Sequence, residues 1–196
     1  ARCLRPFTPR ERSWRVATTV VSRSSAYTTG TGSAAPRASP NALAASALAL
    51  FVGVGEDVVA RGLTSFSPIE HRIEPCGEVA GVHFVNDSKA TNTDSVEKAL
   101  TAFTPKSVVV LLGGHDKGTD LGSLAAACCR EARVAVCFGA AGARFFQAFQ
   151  EHGAQAPADF QLLSAKNMES ALDVALEQAK AGEVVLLSPA CASFDE

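Results

Sequence analysis

Short apolar runs alternate with longer amphipathic runs over most of the chain, and this alternation limits the possible folds more than any other feature. Five runs have strand patterns: 83–85, 107–112, 134–138, 160–163 and 184–187. Of these, 107–112 is a continuous β-branched and Leu run, which is typical of a strand buried on both faces. Such strands, joined by helices, form parallel sheets through right-handed crossovers. The sequence therefore predicts an α/β fold with a Rossmann-like, mostly parallel sheet.

Helical patterns fill the intervals between these strands. They cover residues 93–103, 121–132, 140–152 and 167–181, and two more precede the first strand at 41–52 and 56–66. Residues 71–79 have an extended pattern. We therefore expect a helical segment, then an extended segment, ahead of the alternating α/β part.

The first 40 residues differ in kind from the rest. They contain seven Arg, no Lys and one acidic residue, a net charge of +6, whereas residues 41–196 have a net charge of −8. Their composition resembles an organellar transit peptide or a basic nucleic-acid-binding arm. A third interpretation, which we favour, is an unstructured foreign or mistranslated stretch joined to a truncated gene.

Composition argues against several classes of protein. No apolar run approaches the roughly 20 residues of a membrane span. The six cysteines form no C-x-x-C pair and no metal-ligand spacing. We therefore predict no metal site of the chain's own and no membrane partner. We interpret the cysteines as small packing residues in a reducing compartment.

Polar residues cluster after three of the predicted strands, in segments 86–92, 113–120 and 188–195. In a parallel sheet these segments share one edge, where ligands bind. Lys89 and Lys117 bring positive charge, Asp87 can accept hydrogen bonds, and glycines let backbone N–H groups approach an anion. Ser193 could donate to a carboxylate. Together these features indicate an anionic ligand.

Each of these segments also has a plain structural interpretation. The first is compatible with an Asx-turn, a helix cap and a solvated Lys89. The second is compatible with a simple glycine turn. Arg72 could bind a phosphate or stack on a base, or could pair with Glu74 on a surface strand. We interpret Cys191 as a packing residue and not as a nucleophile, because the sequence places no histidine that would indicate a catalytic base for it.

Five sequence words identify a resemblance to a known family. The chain resembles the C-terminal part of the Mur ligases, and within them the branch that adds D-glutamate in peptidoglycan synthesis. The words are NALAA (41–45), HRIE (71–74), NDSKATN (86–92), LLGGHDKG (111–118) and LSPACASFD (187–195). Lys89 stands where sibling ligases carry other patterns, and it points to the D-glutamate enzymes.

The resemblance implies a role for each matching residue. Asn41, Arg72 and Asp87 match positions that hold ATP at its adenine, phosphate and ribose. A further set matches positions that hold the D-glutamate carboxylates: Lys89, Thr91, Lys117, Ser193 and Phe194. The implied reaction makes an acyl-phosphate from UDP-N-acetylmuramoyl-L-alanine and ATP, and the amine of D-glutamate then attacks it. The cofactors would be ATP and Mg²⁺.

The resemblance also implies a domain organisation. Residues 41–70 correspond to the tail of a central ATP-binding domain, and residues 71–196 to the C-terminal glutamate-ligase domain, truncated at its end. The family's Gly-Lys-Thr/Ser loop and magnesium ligands are not in this sequence. We therefore expect this chain to be inactive alone.

Partners and alternatives follow from the same comparison. The expected setting is a cytoplasmic, monomeric ligase acting on small molecules, without nucleic acid. Two alternatives remain open. One is a non-catalytic Rossmann-like module that binds an acidic amino acid or a nucleotide. The other is a sibling ligase or a folylpolyglutamate synthase.

Overall fold

The structure is a computed structural model that describes residues 40–66, 69–115, 117–152 and 158–191, with the backbone alone at Pro40 and Asn41. The chain divides between residues 67 and 68 into two compact units. In the first unit the described residues form helices α1 (Pro40–Phe51) and α2 (Glu56–Ser65). Both helices were predicted from the sequence, and both are confirmed.

The described part of the second unit contains a six-stranded sheet and four helices. The strands are β1 (Glu74–Val79), β2 (Val82–Asn86), β3 (Val108–Gly113), β4 (Val134–Phe138), β5 (Gln161–Ser164) and β6 (Val184–Ala190). The helices are α3 (Thr93–Leu100), α4 (Gly122–Glu131), α5 (Gly142–His152) and α6 (Met168–Gln178). The alternation of strand and helix that the sequence predicts is therefore confirmed.

The strand order is β1-β2-β6-β3-β4-β5. The pairs β2–β6, β6–β3, β3–β4 and β4–β5 are parallel, so the five predicted strands are mutually parallel in one sheet. Only β1 is antiparallel, and it lies at the edge beside β2. Pro75, which has no N–H to donate, sits at an irregularity in β1, as expected for proline in an edge strand.

Alternate residues of each strand face opposite sides of the sheet and build two apolar cores. Val108, Val110 and Leu112 of β3 pack with α3, α4 and α5, whereas Val109 and Leu111 pack with α6. Both faces of β3 are covered, which explains its unbroken apolar run. The architecture is therefore a three-layer α/β arrangement with three of the described helices on one face and one on the other.

The extended pattern over residues 71–79 is only partly realised. The strand begins at Glu74, and residues 71–73 form a turn in which His71 and Ile73 have left-handed φ angles of 65° and 46°. The prediction of extended backbone at 71–73 is therefore wrong. This turn packs against the polar segment after β2 through hydrogen bonds described below, and those bonds determine its shape.

An ion pair joins the amino-terminal ends of two strands, opposite the candidate site. The Arg133 guanidinium donates to both carboxylate oxygens of Glu183, each at 2.6 Å, and also to the carbonyl of Gln178 at 2.7 Å. Burial acts to raise the pKa of the Glu183 carboxyl, but the Arg133 hydrogen bonds and the Lys180 N–H hold it below its ordinary value. Bidentate geometry of this kind fixes the two groups strongly.

We predict that Arg133→Leu lowers the free energy of unfolding by about 3 kcal/mol, because it leaves the largely buried Glu183 carboxylate without its partner. Urea unfolding at neutral pH measures the change. Lys98→Leu is the control: its exposed pair with Asp94 should contribute at most about 0.5 kcal/mol. Because the folded-state pKa of Glu183 is lowered, the wild-type advantage should shrink as the pH falls through that pKa. Equal losses in the two variants would contradict the prediction.

Gly113 ends β3 where its backbone touches the next strand. Its φ is 156°, and a Cβ at this position would lie 2.1 Å from the carbonyl oxygen of Phe138. We predict that Gly113→Ala lowers the free energy of unfolding by at least about 2 kcal/mol, because the backbone of β4 would have to move. Gly182→Ala controls for the φ angle alone, since Gly182 has a φ of 88° and open space around it. If both variants lost the same free energy of unfolding in urea, the close contact between Gly113 and the Phe138 carbonyl would not contribute to the loss.

Candidate active site at the carboxyl edge of the sheet

Three polar segments meet at the carboxyl edge because β2, β6 and β3 are adjacent and parallel. The Asp87 N–H donates to the Leu187 carbonyl at 2.8 Å, and the Ala190 N–H donates to the Ala90 carbonyl at 2.9 Å. The Lys117 ammonium donates to the Thr91 carbonyl at 3.0 Å. The predicted convergence of the segments after β2 and β3 beside β6 is therefore present.

A buried carboxylate lies at the centre of this edge. Asp87 is 6% exposed, and its two oxygens accept from the Ser188 hydroxyl at 2.8 Å and from the Ile73 N–H at 3.2 Å. Burial raises the pKa of Asp87, while the Ser188 and Ile73 hydrogen bonds and the nearby Arg72 charge oppose the rise. Among the described residues, Asp87 thus joins β2, β6 and the turn before β1.

Ser188 is a site residue that sequence reasoning missed. The segment 188–195 was interpreted as a loop, but β6 continues through Ser188 and Pro189 to Ala190, so that assignment is wrong for its first three residues. Ser188 is fully buried. A hydroxyl at the end of an apolar strand signals a buried polar partner, although the sequence does not say which one.

The cationic residues reach this edge from three separate segments. Lys89 and Lys117 are exposed, and Arg72 is exposed in the turn before β1. Within the described ranges, neither the Lys89 ammonium nor the Arg72 guanidinium has a hydrogen-bonding or ion-pair partner. Positive charge close to a buried carboxylate suits a ligand that carries both an anion and a hydrogen-bond donor.

The helix that follows the site loop has a strong amino-terminal cap. Asn92 precedes α3, and its side chain accepts from the Ser95 N–H at 2.9 Å. The loop from Asn86 to Asn92 is therefore fixed at both ends, by a strand and by a capped helix. This confirms the strand–loop–helix arrangement that the sequence predicts, and the capping interpretation of the loop is also correct.

The second loop follows β3 with two glycines of positive φ, Gly113 and Gly114. The Gly114 carbonyl accepts from the Ala141 N–H at 2.9 Å, which ties this loop to the start of α5. Near its end, the Asp120 carboxylate accepts from the Gly122 N–H at 3.0 Å, at the start of α4. The turn is therefore held at both ends while Lys117 extends toward Thr91.

Three predicted site residues do not enter this description. Asn41 lies in α1 of the first unit, and its side chain is outside the described residues. Ser193 and Phe194 also lie outside the described residues. Their roles stay predictions, whereas Arg72, Asp87, Lys89, Thr91 and Lys117 lie in segments that meet at one edge.

Cys3 lies outside the described residues, and four of the five described cysteines are buried as packing residues. Cys128, Cys137 and Cys191 are buried, and burial raises the pKa of the Cys128 thiol and that of Cys137, the latter to about 12. Such thiols are poor nucleophiles. Cys76 departs from the prediction, because it is exposed on the edge strand β1.

The described residues form neither a metal centre nor a membrane span. No cluster of three or more His, Cys, Asp or Glu side chains in the described ranges could hold a metal ion. No helix in the same ranges has the length and apolarity required to cross a membrane.

We predict that Asp87→Asn is at least as stable as wild type at pH 7, because it removes a charge that burial disfavours. The folded-state pKa of Asp87 is raised, so wild type loses stability as the pH rises from its ordinary value, 3.8, through the folded value. The advantage of the variant should therefore vanish at acidic pH. Calorimetric unfolding of both proteins across a range of pH measures this difference in stability.

Ser188→Ala is the comparison variant for this carboxylate. It should be less stable than wild type at pH 7 by about 1–3 kcal/mol, because the buried Asp87 carboxylate loses a donor. An Asp87→Asn protein that is clearly less stable than wild type at pH 7 would show that the carboxylate stabilises the fold.

Comparison with known proteins gives the family. Residues 71–191 match the family described as "Mur ligase, glutamate ligase domain". The chain is 40% identical over 156 residues to the UDP-N-acetylmuramoylalanine–D-glutamate ligase of Solibacter usitatus, which covers 80% of this chain and 34% of that protein. This chain therefore spans about a third of the length of the curated relatives it matches.

Solved structures show the same fold. MurF from Acinetobacter baumannii has a TM-score of 0.56 and 19% identity, over 78% of this chain and 34% of that chain. FolC of E. coli, solved with DHPP and ADP, has a TM-score of 0.55 and 22% identity, over 80% of this chain and 36% of that chain. Because residues 71–191, more than half of the chain, match the family's glutamate ligase domain, the chain belongs to the Mur ligase family.

Proposed function

We propose that the chain supplies the glutamate-binding part of an ATP-dependent ligase that joins D-glutamate to UDP-N-acetylmuramoyl-L-alanine. The observation that carries the proposal is the Lys117 hydrogen bond to the Thr91 carbonyl, which joins the second loop to the loop that holds Lys89 and the buried Asp87. The identity of 40% to a D-glutamate ligase supports the same substrate. Such an enzyme would act in the cytoplasm, in peptidoglycan synthesis and hence in cell shape and division.

D-Glutamate suits the cationic side of this edge. It carries two carboxylates, and ammonium groups with hydroxyl donors are good partners for them. We assign Lys89, Thr91 and Lys117 to these carboxylates, with Ser193 and Phe194 completing the site. The Lys117 bond to the Thr91 carbonyl supports this assignment, because it brings two of the assigned residues together.

ATP suits the other side of the edge. We assign Asp87 to the ribose hydroxyls, Arg72 to the phosphates and Asn41 to the adenine. Arg72 directly precedes Ile73, whose N–H donates to Asp87, and this proximity in the turn supports a shared ligand. The relative FolC was solved with ADP, which supports nucleotide binding at this fold.

The proposed reaction has two steps. The terminal phosphate of ATP passes to the carboxylate of UDP-N-acetylmuramoyl-L-alanine and forms an acyl-phosphate. The amine of D-glutamate then attacks the acyl carbon, the amide bond forms, and phosphate leaves. The residues of this chain would bind and orient D-glutamate and the nucleotide for that attack. Mg²⁺ would accompany ATP, with protein ligands in the central domain that the family resemblance implies.

A chimera with a related ligase would test the proposed D-glutamate ligase function. Residues 41–196 would replace the matching third of the Solibacter usitatus relative, and ADP release would be followed with each substrate omitted in turn. The expected result is ADP release that requires both D-glutamate and UDP-N-acetylmuramoyl-L-alanine. Release driven by another amino acid would support a sibling ligase. Micromolar D-glutamate binding by the chain alone, with an inactive chimera, would support a non-catalytic module.

Lys89→Ala in the chimera should raise the KM for D-glutamate by at least roughly 30-fold, because a carboxylate would lose its charged partner. Lys98→Ala is the matched control. Lys98 is also exposed and close in sequence, but it pairs with Asp94 on the outer surface of α3. An unchanged KM in Lys89→Ala would remove Lys89 from the proposed site.

A further inference from the structure

We infer that His71 is a positioning residue that fixes the loop carrying Lys89. The inference rests on the proposed function only for the identity of the ligand that Lys89 binds. His71 contacts this loop twice: its Nδ1 lies 2.9 Å from the Asn86 amide nitrogen, and its carbonyl accepts from the Lys89 N–H at 3.1 Å. A side chain and a main-chain group of one residue therefore hold both ends of the segment from Asn86 to Lys89.

The direction of these hydrogen bonds follows from the Ser88 N–H. This group can only donate, and it lies 3.0 Å from Asn86 Oδ1. Asn86 Oδ1 is therefore the acceptor, and the Asn86 amide nitrogen is left to donate to His71 Nδ1. A neutral imidazole that accepts at Nδ1 carries its proton at Nε2. The Glu74 carboxylate also faces His71 Nδ1, but at 3.6 Å it lies beyond hydrogen-bond distance, so the closer Asn86 amide determines the tautomer of the neutral imidazole.

The backbone at His71 is held in a conformation that a histidine rarely adopts. Its φ is 65°, and Ile73, which is β-branched, has a φ of 46°. The Glu74 carboxylate accepts from the His71 N–H at 2.8 Å, and the Asp87 carboxylate accepts from the Ile73 N–H. Strained backbone persists where surrounding contacts over-determine it. Here the contacts direct the His71 carbonyl toward the Lys89 N–H.

The position of Lys89 depends on these backbone contacts, because its own side chain makes none that would fix it. Its ammonium is exposed, and within the described ranges no side chain pairs with it. Its position is therefore set by the backbone of the loop. On one side the Ala90 N–H donates to the Asp87 carbonyl at 2.8 Å, and on the other the Lys89 N–H meets His71.

The first test measures the tautomer in the full chain. Nitrogen-15 NMR of the histidines, at about two pH units above the ordinary histidine pKa of about 6.5, distinguishes protonated from unprotonated ring nitrogens. The expected result is an unprotonated Nδ1 and a protonated Nε2 at His71. A protonated Nδ1 would overturn the inference, because the Asn86 amide could not then donate to it.

The second test measures the loop in variants of the full chain. His71→Ala removes the Nδ1 acceptor, and the Lys89 amide should exchange with solvent roughly fivefold to tenfold faster. His71→Asn places an oxygen where Nδ1 was and tolerates a left-handed φ, so it should restore the wild-type rate. The Ser95 amide, in α3, should be unchanged in both variants.

His83→Ala is the matched control variant. His83 also lies near a carboxylate, with Nδ1 3.5 Å from Glu78, but it stands in β2 away from the loop. The Lys89 amide should exchange at the wild-type rate in this variant. Equal exchange at Lys89 in wild type and His71→Ala would overturn the positioning role, and so would failure of His71→Asn to restore the rate.

The chimera connects this role to the ligand. His71→Ala should raise the KM for D-glutamate several-fold and leave the KM for UDP-N-acetylmuramoyl-L-alanine unchanged, and His71→Asn should recover it. Equal effects on both substrates would contradict the positioning of Lys89. If the chimera used no D-glutamate, the proposed function would fail, while the tautomer and exchange measurements would still decide the role of His71.

Discussion

The buried Asp87 carboxylate is the interaction on which the candidate site depends. It holds the end of β2 against Ser188 of β6, and it accepts from the Ile73 N–H in the turn before β1. These contacts join residues up to 101 positions apart in the chain. Because the carboxylate is desolvated, each donor around it matters more than a comparable donor at the surface.

The charged Asp87 carboxylate destabilises the fold, yet the same charge suits it to bind a hydrogen-bond donor. Burial disfavours the charged form of Asp87, as the raised pKa shows. The same charge is what a ribose hydroxyl or another donor would seek. Groups that are held against their own stability are common at ligand sites, since function and stability are selected separately. The left-handed φ angles at His71, Ile73 and Ala190 lie at the same edge and belong to the same pattern.

The sequence was sufficient to predict the regular part of the fold. The five parallel strands and the helices between them follow from local periodicity. The signal is strongest for β3 and β4, because a strand buried on both faces must be apolar throughout. The convergence of Asp87, Lys89, Thr91 and Lys117 followed from strand direction alone.

Features that depend on long-range contacts could not be predicted in this way. The turn at residues 71–73 is shaped by hydrogen bonds to Asp87 and Lys89. Its local sequence does not predict a positive φ at Ile73, because β-branched residues rarely adopt one. Ser188 was assigned to a loop because a hydroxyl normally ends an apolar strand. Its burial makes sense only once Asp87 is known to lie beside it.

The Arg133–Glu183 pair lies at the opposite edge of the sheet from these loops. This buried ion pair and the exposed cations of the candidate site are thus separated by the length of the strands. Exposed positions at the carboxyl edge, such as Lys89 and Lys117, can then change at little expense to folding, unlike the buried Ser188 and the closely packed Gly113, which gives such a scaffold room to diversify its ligands. A lineage of ligases that share one sheet and differ in the amino acid they add is a natural outcome of that separation.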